Sequence, residues 1–310
     1  MNAPSDRIVT PAFAANSPLP DWPRSWYVVA RSAELPAGSV RAVSIGGSEV
    51  VLFRTVSGAL GAVDAHCPHM GAHLRHGTVR GEHLECALHC WRIGVDGEVV
   101  TQTSRAVSWP VQEQYGVVML ALGPSQPVPT AGNEDFIWTS VPAVDIAVTW
   151  HSLVTNAFDL VHLCTVHLRD LAEAPRISMD PGNRFTLNYV SRVRGRALSD
   201  RVMKQLSRDR ISVQVRCHGA VTVVETDLGF TRTAAVLGMF PTAGGSRVFA
   251  TFGIRRGRFE RLRLAITRWL FVSFLRRDLS IVEGMQLRTD VNDATLQQLF
   301  TFLRSLRIVK

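Results

Sequence analysis

The stretch CPHMGAHLRHGTVRGEHLECALHC, residues 67–90, holds three cysteines and five histidines in twenty-four positions. Within it, Cys67-x-His69 is followed, after sixteen intervening residues, by Cys86-x-x-His89. Each half offers one thiolate and one imidazole from a short loop. The four can share one metal centre only if two β-turn loops face each other, and this limits the surrounding fold more than any other feature.

Two chemistries fit such a set. Zinc would take all four ligands on one tetrahedral ion. A 2Fe–2S cluster of the Rieske kind would take two cysteines on one iron and two histidines on the other, at a higher potential than an all-cysteine cluster. The Cys-x-His spacing favours the cluster, because it brings in two ligands too close in sequence for common zinc fingers. Gly71, Gly77 and Gly81 give the loops the permissive backbone that close approach to bridging sulfides needs. His66, His73, His76 and His83 read as solvent-facing loop residues, and Cys90 as a bystander.

Five cysteines in all, an odd number unevenly spaced in a chain of 310 residues, argue against a disulfide framework and for metal ligation or buried thiols in a reducing compartment. The length allows two domains, and 46% hydrophobic with 19% charged residues is globular composition. A net charge of +8, mostly arginine, fits an acidic protein partner. It forms no Lys/Arg block interleaved with aromatics, which leaves nucleic acid the weakest partner class. Residues 1–22 read as a flexible lead-in without a signal-length apolar run, so a cytoplasmic location is expected. The most apolar stretch, LAITRWLFVSFL (264–275), is too short to span a bilayer and carries Arg268, so no transmembrane segment is expected.

Short runs rich in Val, Ile and aromatics between Trp26 and Leu122 predict an all-β domain over residues 23–123. The Pro/Gly/polar stretch over 124–135 reads as a linker, and 136–310 as a second, α+β domain. There, 145–172, 258–288 and ATLQQLFTFLRSLRIV look helical, while FTLNYVSRVR, ISVQVRCHGAVTVVET, FTRTAAVLGMF and SRVFATFGIRR look like long antiparallel strands. The charged segment SDRVMKQLSRDR (199–210) reads as a solvated connection, with a mobile lid as the alternative.

A second constellation lies in TNAFDLVHLCTVH (155–167). Asn156, Asp159 and His162 follow at three-residue steps, so they share one flank of a helix. His167 comes five residues after His162, about 140° around an unbroken helix, so both imidazoles can bind one ion only if the helix ends or bends between them. The β-branched Thr165 and Val166 are the expected place. Asp159 lies among apolar neighbours, where a carboxylate needs a partner. Two histidines with a nearby acid suggest the two-His-one-carboxylate triad of non-heme Fe(II) oxygenases. On its own, His-x4-His specifies little.

The first box, CPHMGA (67–72), is similar to the Cys-Pro-His-x-Gly-Ala box of Rieske domains. The second, CALHCW (86–91), keeps both ligands and Trp91 but has Ala87 for the usual proline and Cys90 for the usual glycine. The stretch NAFDLVHLCTVH resembles the Asn/Glu-x2-Asp-x2-His-x4-His motif of Rieske oxygenase catalytic domains. In that family a downstream aspartate completes the iron site. FLRRDLSIVEGMQ (274–286) is similar to that region, with Asp278 in the ligand's place and Glu283 as runner-up.

The resemblance is to the α-subunit-only Rieske non-heme iron oxygenases, a group that includes dicamba and vanillate demethylases, ketosteroid hydroxylases and sterol desaturases. It implies an N-terminal Rieske domain whose cluster is held by Cys67, His69, Cys86 and His89, followed by a helix-grip, START-like catalytic domain. It implies a mononuclear Fe(II) on His162, His167 and Asp278, with O2 as co-substrate. It also implies a head-to-tail homotrimer in which Asp159 bridges a neighbour's His89 to His162, with Asn156 supporting the iron shell by hydrogen bonding. Electrons would come from NAD(P)H through a separate ferredoxin or reductase, since the chain has no Gly-x-Gly-x-x-Gly fingerprint and no second cysteine cluster. The expected reaction is hydroxylation or oxidative demethylation of a hydrophobic ring-containing small molecule by a monooxygenase, with Met239, Phe240 and Phe252 facing the iron. Desaturation or oxidative cyclisation in steroid or secondary metabolism is the alternative. An electron carrier with a non-catalytic ligand-binding domain and a zinc-stabilised binding protein are readings from other classes.

Overall fold

The chain divides into residues 26–126 and residues 127–310, the latter joined by the segment that ends at Ser25. The computed structural model describes residues 19–100, 102–123, 127–132, 135–180 and 183–307. Residues 1–18 of the expected lead-in, and 124–126 and 133–134 of the expected linker, lie outside the described residues.

The N-terminal unit is built from short strands: β1 (Ser25–Arg31), β2 (Val40–Ile45), β3 (Ser48–Arg54), β4 (Leu60–Asp64), β5 (Thr78–Arg80), β6 (His83–Glu85), β7 (Arg92–Ile93), β8 (Val111–Gln114) and β9 (Val117–Leu122). They form three three-stranded sheets, ordered β1-β9-β8, β2-β3-β4 and β5-β6-β7. Gly46 and Gly47, both at positive φ, make the two-residue turn that closes the β2–β3 hairpin. Val51 and Phe53 of β3, Val63 of β4, Leu74 and Leu84 pack into one buried cluster that also contains Cys67 and Cys86. The two sulfurs are thus rooted in the core while the rest of their loops reaches outward.

The second unit contains β10 (Phe136–Ser140), β11 (Val144–Ile146), α1 (Trp150–Phe158), α2 (Leu160–Thr165), β12 (Arg169–Leu171), β13 (Arg176–Asp180), β14 (Arg184–Val193), α3 (Leu198–Ser207), β15 (Ile211–Cys217), β16 (Val221–Asp227), β17 (Arg232–Thr242), β18 (Gly245–Arg255), α4 (Glu260–Val282) and α5 (Ala294–Ser305). Its strands make one nine-stranded antiparallel sheet ordered β10-β18-β17-β16-β15-β14-β12, with β11 on β18 and β13 on β14. Strand side chains alternate between faces. Val213 and Val215 of β15, Val224 and Thr226 of β16, and Ala235 and Leu237 of β17 therefore all point into one cavity. On the helical side, Phe271, Phe274, Leu275 and Asp278 recur at the three- and four-residue spacing of one α4 face and meet the same cavity.

Four sequence expectations change here. Residues 145–172 are not one helix: α1 ends at Phe158, α2 begins at Leu160, and a strand follows from Arg169. ISVQVRCHGAVTVVET is a hairpin, turning through Gly219 at φ 86. The segment 199–210 is no solvated connection, because most of it is α3 and Asp200 is only 2% exposed. Residues 19–22, read as the end of a flexible lead, are packed. Leu19 joins the core of the second unit, the Pro20 carbonyl pairs with His151 Nε2 at 2.9 Å, and the Asp21 carbonyl accepts from Trp150 Nε1 at 2.9 Å.

Candidate metal centres

In the N-terminal unit the two ligand loops have matching backbones. The Cys67 carbonyl accepts from Gly71 N–H at 2.9 Å, and Cys67 N–H donates to the Ala72 carbonyl at 2.9 Å. In the second loop the Cys86 carbonyl accepts from Cys90 N–H at 3.0 Å, and Cys86 N–H donates to the Trp91 carbonyl at 2.8 Å. The fifth residue of each turn is left-handed, Gly71 at φ 74 and Cys90 at φ 56. Cys90 thus occupies the backbone position of its glycine twin, with its side chain exposed.

Each loop carries its sulfur inward and its imidazole outward. Cys67 and Cys86 are buried, whereas His69 and His89 are exposed, with ring centroids 4.7 Å apart. Trp91 stacks on His69 at 4.4 Å and 8°, which orients that ring. Burial holds the Cys67 thiol above its ordinary range, and the neighbouring Cys86 adds to the effect, while N–H groups of His69 and Met70 pull the other way. Iron cations at the two sulfurs would reverse that balance. Paired buried sulfurs and paired outward imidazoles fit a cluster with cysteines on one iron and histidines on the other.

In the second unit the Nε2 atoms of His162 and His167 lie 2.7 and 2.6 Å from Asp278 Oδ1 and 3.2 Å from each other. Three ligand atoms on one face of an octahedral ion with bonds of about 2.1 Å would sit about 3 Å apart, so the spacing fits a single metal ion. His167 is 1% exposed and lies flat on Phe274, ring centroids 3.5 Å apart. Burial lowers the His167 pKa and outweighs the opposing pull of Asp278. Burial pushes Asp278 up, but side-chain hydrogen bonding to His162 and His167, with a smaller contribution from Asn156, leaves it below its usual range. A neutral imidazole beside an ionised carboxylate is the protonation state that metal binding needs. Glu283, the runner-up, is exposed at the end of α4 and is not part of the converging group.

What brings the two imidazoles together is two backbone breaks. At Asp159, φ −80 and ψ 102 interrupt the helix, and its Oδ1 caps α2 by accepting from His162 N–H at 2.8 Å. After Thr165 the helix ends, and Leu168 at φ 50 turns the chain into β12. The second break falls at the expected place; the first does not. Asp159 is half-buried and gains a local partner that the sequence reading did not give it. Of the three expected cavity residues, Met239 lines the wall. Phe240 turns to the other face and packs edge-on against Trp22, and Phe252 lies against Phe271 in the core. Sequence reasoning missed the polar group of Arg169, Asp200 and Arg277 at the cavity wall, because three charged residues so far apart in the chain read singly as solvated surface.

Residues 25–113 match the Rieske [2Fe-2S] domain family. The N-terminal unit is a Rieske domain. Over 174 residues the chain is 30% identical to the cholesterol 7-desaturase of Bombyx mori, covering 50% of this chain and 38% of that protein. It is 26% identical over 188 residues to the oxygenase component of a 3-ketosteroid-9-alpha-monooxygenase from Rhodococcus rhodochrous, covering 54% of this chain and 50% of the other. The chain thus spans half or less of these relatives' length. A crystal structure of dicamba monooxygenase bound to dicamba superposes with a TM-score of 0.67 at 16% identity, covering 91% of this chain and 97% of the other. The chain therefore has the fold of that protein and, with its Rieske domain, resembles the oxygenase components of Rieske systems.

Proposed function

We propose that the chain is the terminal oxygenase component of a multicomponent Rieske system. It would hydroxylate or oxidatively demethylate a hydrophobic ring-containing small molecule. The observation that carries this reading is the convergence of His162, His167 and Asp278 on one point at the edge of a mainly apolar cavity. When bound there, Fe(II) supplies oxygen activation, fed by electrons from the Rieske cluster.

The remaining roles fall to the chain's own groups. His162, His167 and Asp278 hold the ion, and Phe274 fixes the His167 plane. The Asn156 side chain helps to keep Asp278 ionised. Valines and leucines of β15–β17 seat the substrate beside the ion without offering it a competing ligand, and they exclude bulk water. Asp159 would connect His162 to His89 of a neighbouring subunit in a homotrimer, which is how charge would pass from cluster to iron. His69 and His89 are exposed, as an electron entry and exit point requires, and Met70 and Leu88 beside them are exposed apolar residues suited to contact with another protein. A separate ferredoxin or reductase would supply the electrons. Among the described residues no helix is long and apolar enough to cross a membrane.

Metal analysis tests this first: the oxygenase requires about three irons and two acid-labile sulfides per chain. Asp278→Ala should lose about one iron per chain and keep the cluster's visible absorbance. Two irons in the wild-type protein would leave an electron carrier, and retention of all three in Asp278→Ala would remove Asp278 from the site.

A further inference from the structure

The cavity beside the three ligands is mainly apolar; besides those ligands its charged lining residues are Asp159 and the cluster of Arg169, Asp200 and Arg277. Arg169 follows His167 by two residues and is 5% exposed, yet its Nη1 has no hydrogen-bond partner among the described residues. The nearest carboxylate oxygen, Oδ1 of Asp200, lies 3.8 Å from Nη2, beyond hydrogen-bond distance. Asp200 is itself 2% exposed, and Arg277 engages both its oxygens, at 3.4 and 3.2 Å. Two guanidinium groups therefore share one carboxylate. Tyr189, on the neighbouring wall, is held neutral by burial, so it does not supply the missing negative charge. This cluster places two guanidinium groups on one carboxylate and leaves an unused donor in a place that water barely reaches. A buried guanidinium donor left without an acceptor is costly, and the cost disappears when an anion arrives with matching geometry.

Size narrows the occupant. The cavity is about 180 Å3, whereas an engineered protein cavity of about 150 Å3 accommodates benzene. That suits one ring with substituents and is small for a four-ring sterol.

Resting on the oxygenase reading above, we propose that the substrate is a small ring compound bearing a carboxylate, which Arg169 binds while the ring lies against the apolar walls next to the metal ligands. Arg277 holds Asp200 and thereby leaves Arg169 free for the substrate. Arg169 is in this account a binding residue that sets specificity and orientation, and no proton or electron passes through it.

Equilibrium binding tests this without turnover. The full-length, metal-loaded protein is titrated anaerobically, with its cluster oxidised, against 4-methoxybenzoate and its methyl ester, which share a ring and differ in charge. The wild-type protein should bind the acid at least roughly tenfold tighter than the ester, the range of a charge-assisted hydrogen bond. In Arg169→Met that ratio should fall to about one, with ester affinity unchanged. If Arg169→Met does not fold, Arg169→Gln carries the same expectation. Equal affinity for acid and ester in the wild-type protein, a preference that survives the loss of the guanidinium, or no binding of either compound would each overturn the assignment. Because no oxygen is consumed, an acid preference in a protein that never oxidises any ring compound would sink the oxygenase reading and leave only the carboxylate-binding role of Arg169 standing.

Discussion

At position 90 a cysteine holds a backbone conformation that the twin loop gives to glycine: φ is 56 at Cys90 and 74 at Gly71. For a residue with a Cβ the left-handed region costs about 1 kcal/mol or more, and glycine recovers most of that while losing more chain entropy on folding. The Cys90 side chain is exposed, so removing it forfeits no packing. Cys90→Gly should stabilise the Rieske domain by on the order of 0.5–1 kcal/mol. The temperature at which the cluster's visible absorbance bleaches reports this; a lower temperature in the variant would mean that the thiol itself holds the loop. The sequence made the substitution visible but not its consequence. Cys67, His69, Cys86 and His89 could be picked out by residue type and spacing, whereas a φ angle leaves no such mark. Arg169 was hidden for another reason. Nothing in HLRDL distinguishes a buried guanidinium from a solvated one, and Asp200 and Arg277, which complete its cluster, are supplied by helices far along the chain.

The helical element before the metal ligands separates structure from function at a single residue. Asp159 ends α1 and caps α2, and its cap is a hydrogen bond to the N–H of His162, a metal ligand. Asparagine caps about as well as aspartate, while alanine loses about 1 kcal/mol. Asp159→Asn should therefore keep the fold and both metal centres while nearly abolishing turnover, if the carboxylate carries charge between subunits. Asp159→Ala should also lower the unfolding midpoint and weaken iron retention. Full turnover in Asp159→Asn, with metal content measured in parallel, would reduce Asp159 to a cap. The three-residue spacing of Asn156, Asp159 and His162 made one continuous helix the natural expectation. The break arises because a capping carboxylate competes with the helical backbone for an N–H, and that outcome depends on tertiary packing. By contrast, β14, β17, β18, α4 and α5 were legible, since their alternation or helical spacing persists over ten residues or more.

On the scale of the whole chain, the division into a β unit and an α+β unit could be read from composition, but the anchoring of residues 19–22 on the second unit could not. That anchor depends on a neutral histidine. His151 is 1% exposed, and burial lowers its pKa to about 4, with the Pro20 carbonyl opposing the shift. A carbonyl can only accept, so Nε2 carries the proton, and Nδ1 is buried without a partner among the described residues. Protonation would put a charge on Nδ1, where no acceptor waits among the described residues. The folded value lies below the ordinary 6.5, so the unfolded chain binds more protons between these limits and stability rises with pH across the window. The contribution is fully present above about pH 6.5 and is lost as pH falls towards about 4. His218 adds in the same direction, since burial, followed by Arg216 and Arg184, also lowers it to about 4. Glutamine at position 151 can donate from the place of Nε2 and cannot titrate. Between pH 7 and 4.5, unfolding measured by denaturant titration should cost the wild-type protein about 2 kcal/mol more stability than His151→Gln. Trp150, whose ring lies 4.2 Å from His151 and whose Nε1–H donates to the Asp21 carbonyl, provides a local fluorescence signal. Parallel stability curves for the two proteins across that range would mean that the segment holds its place whatever the charge on His151.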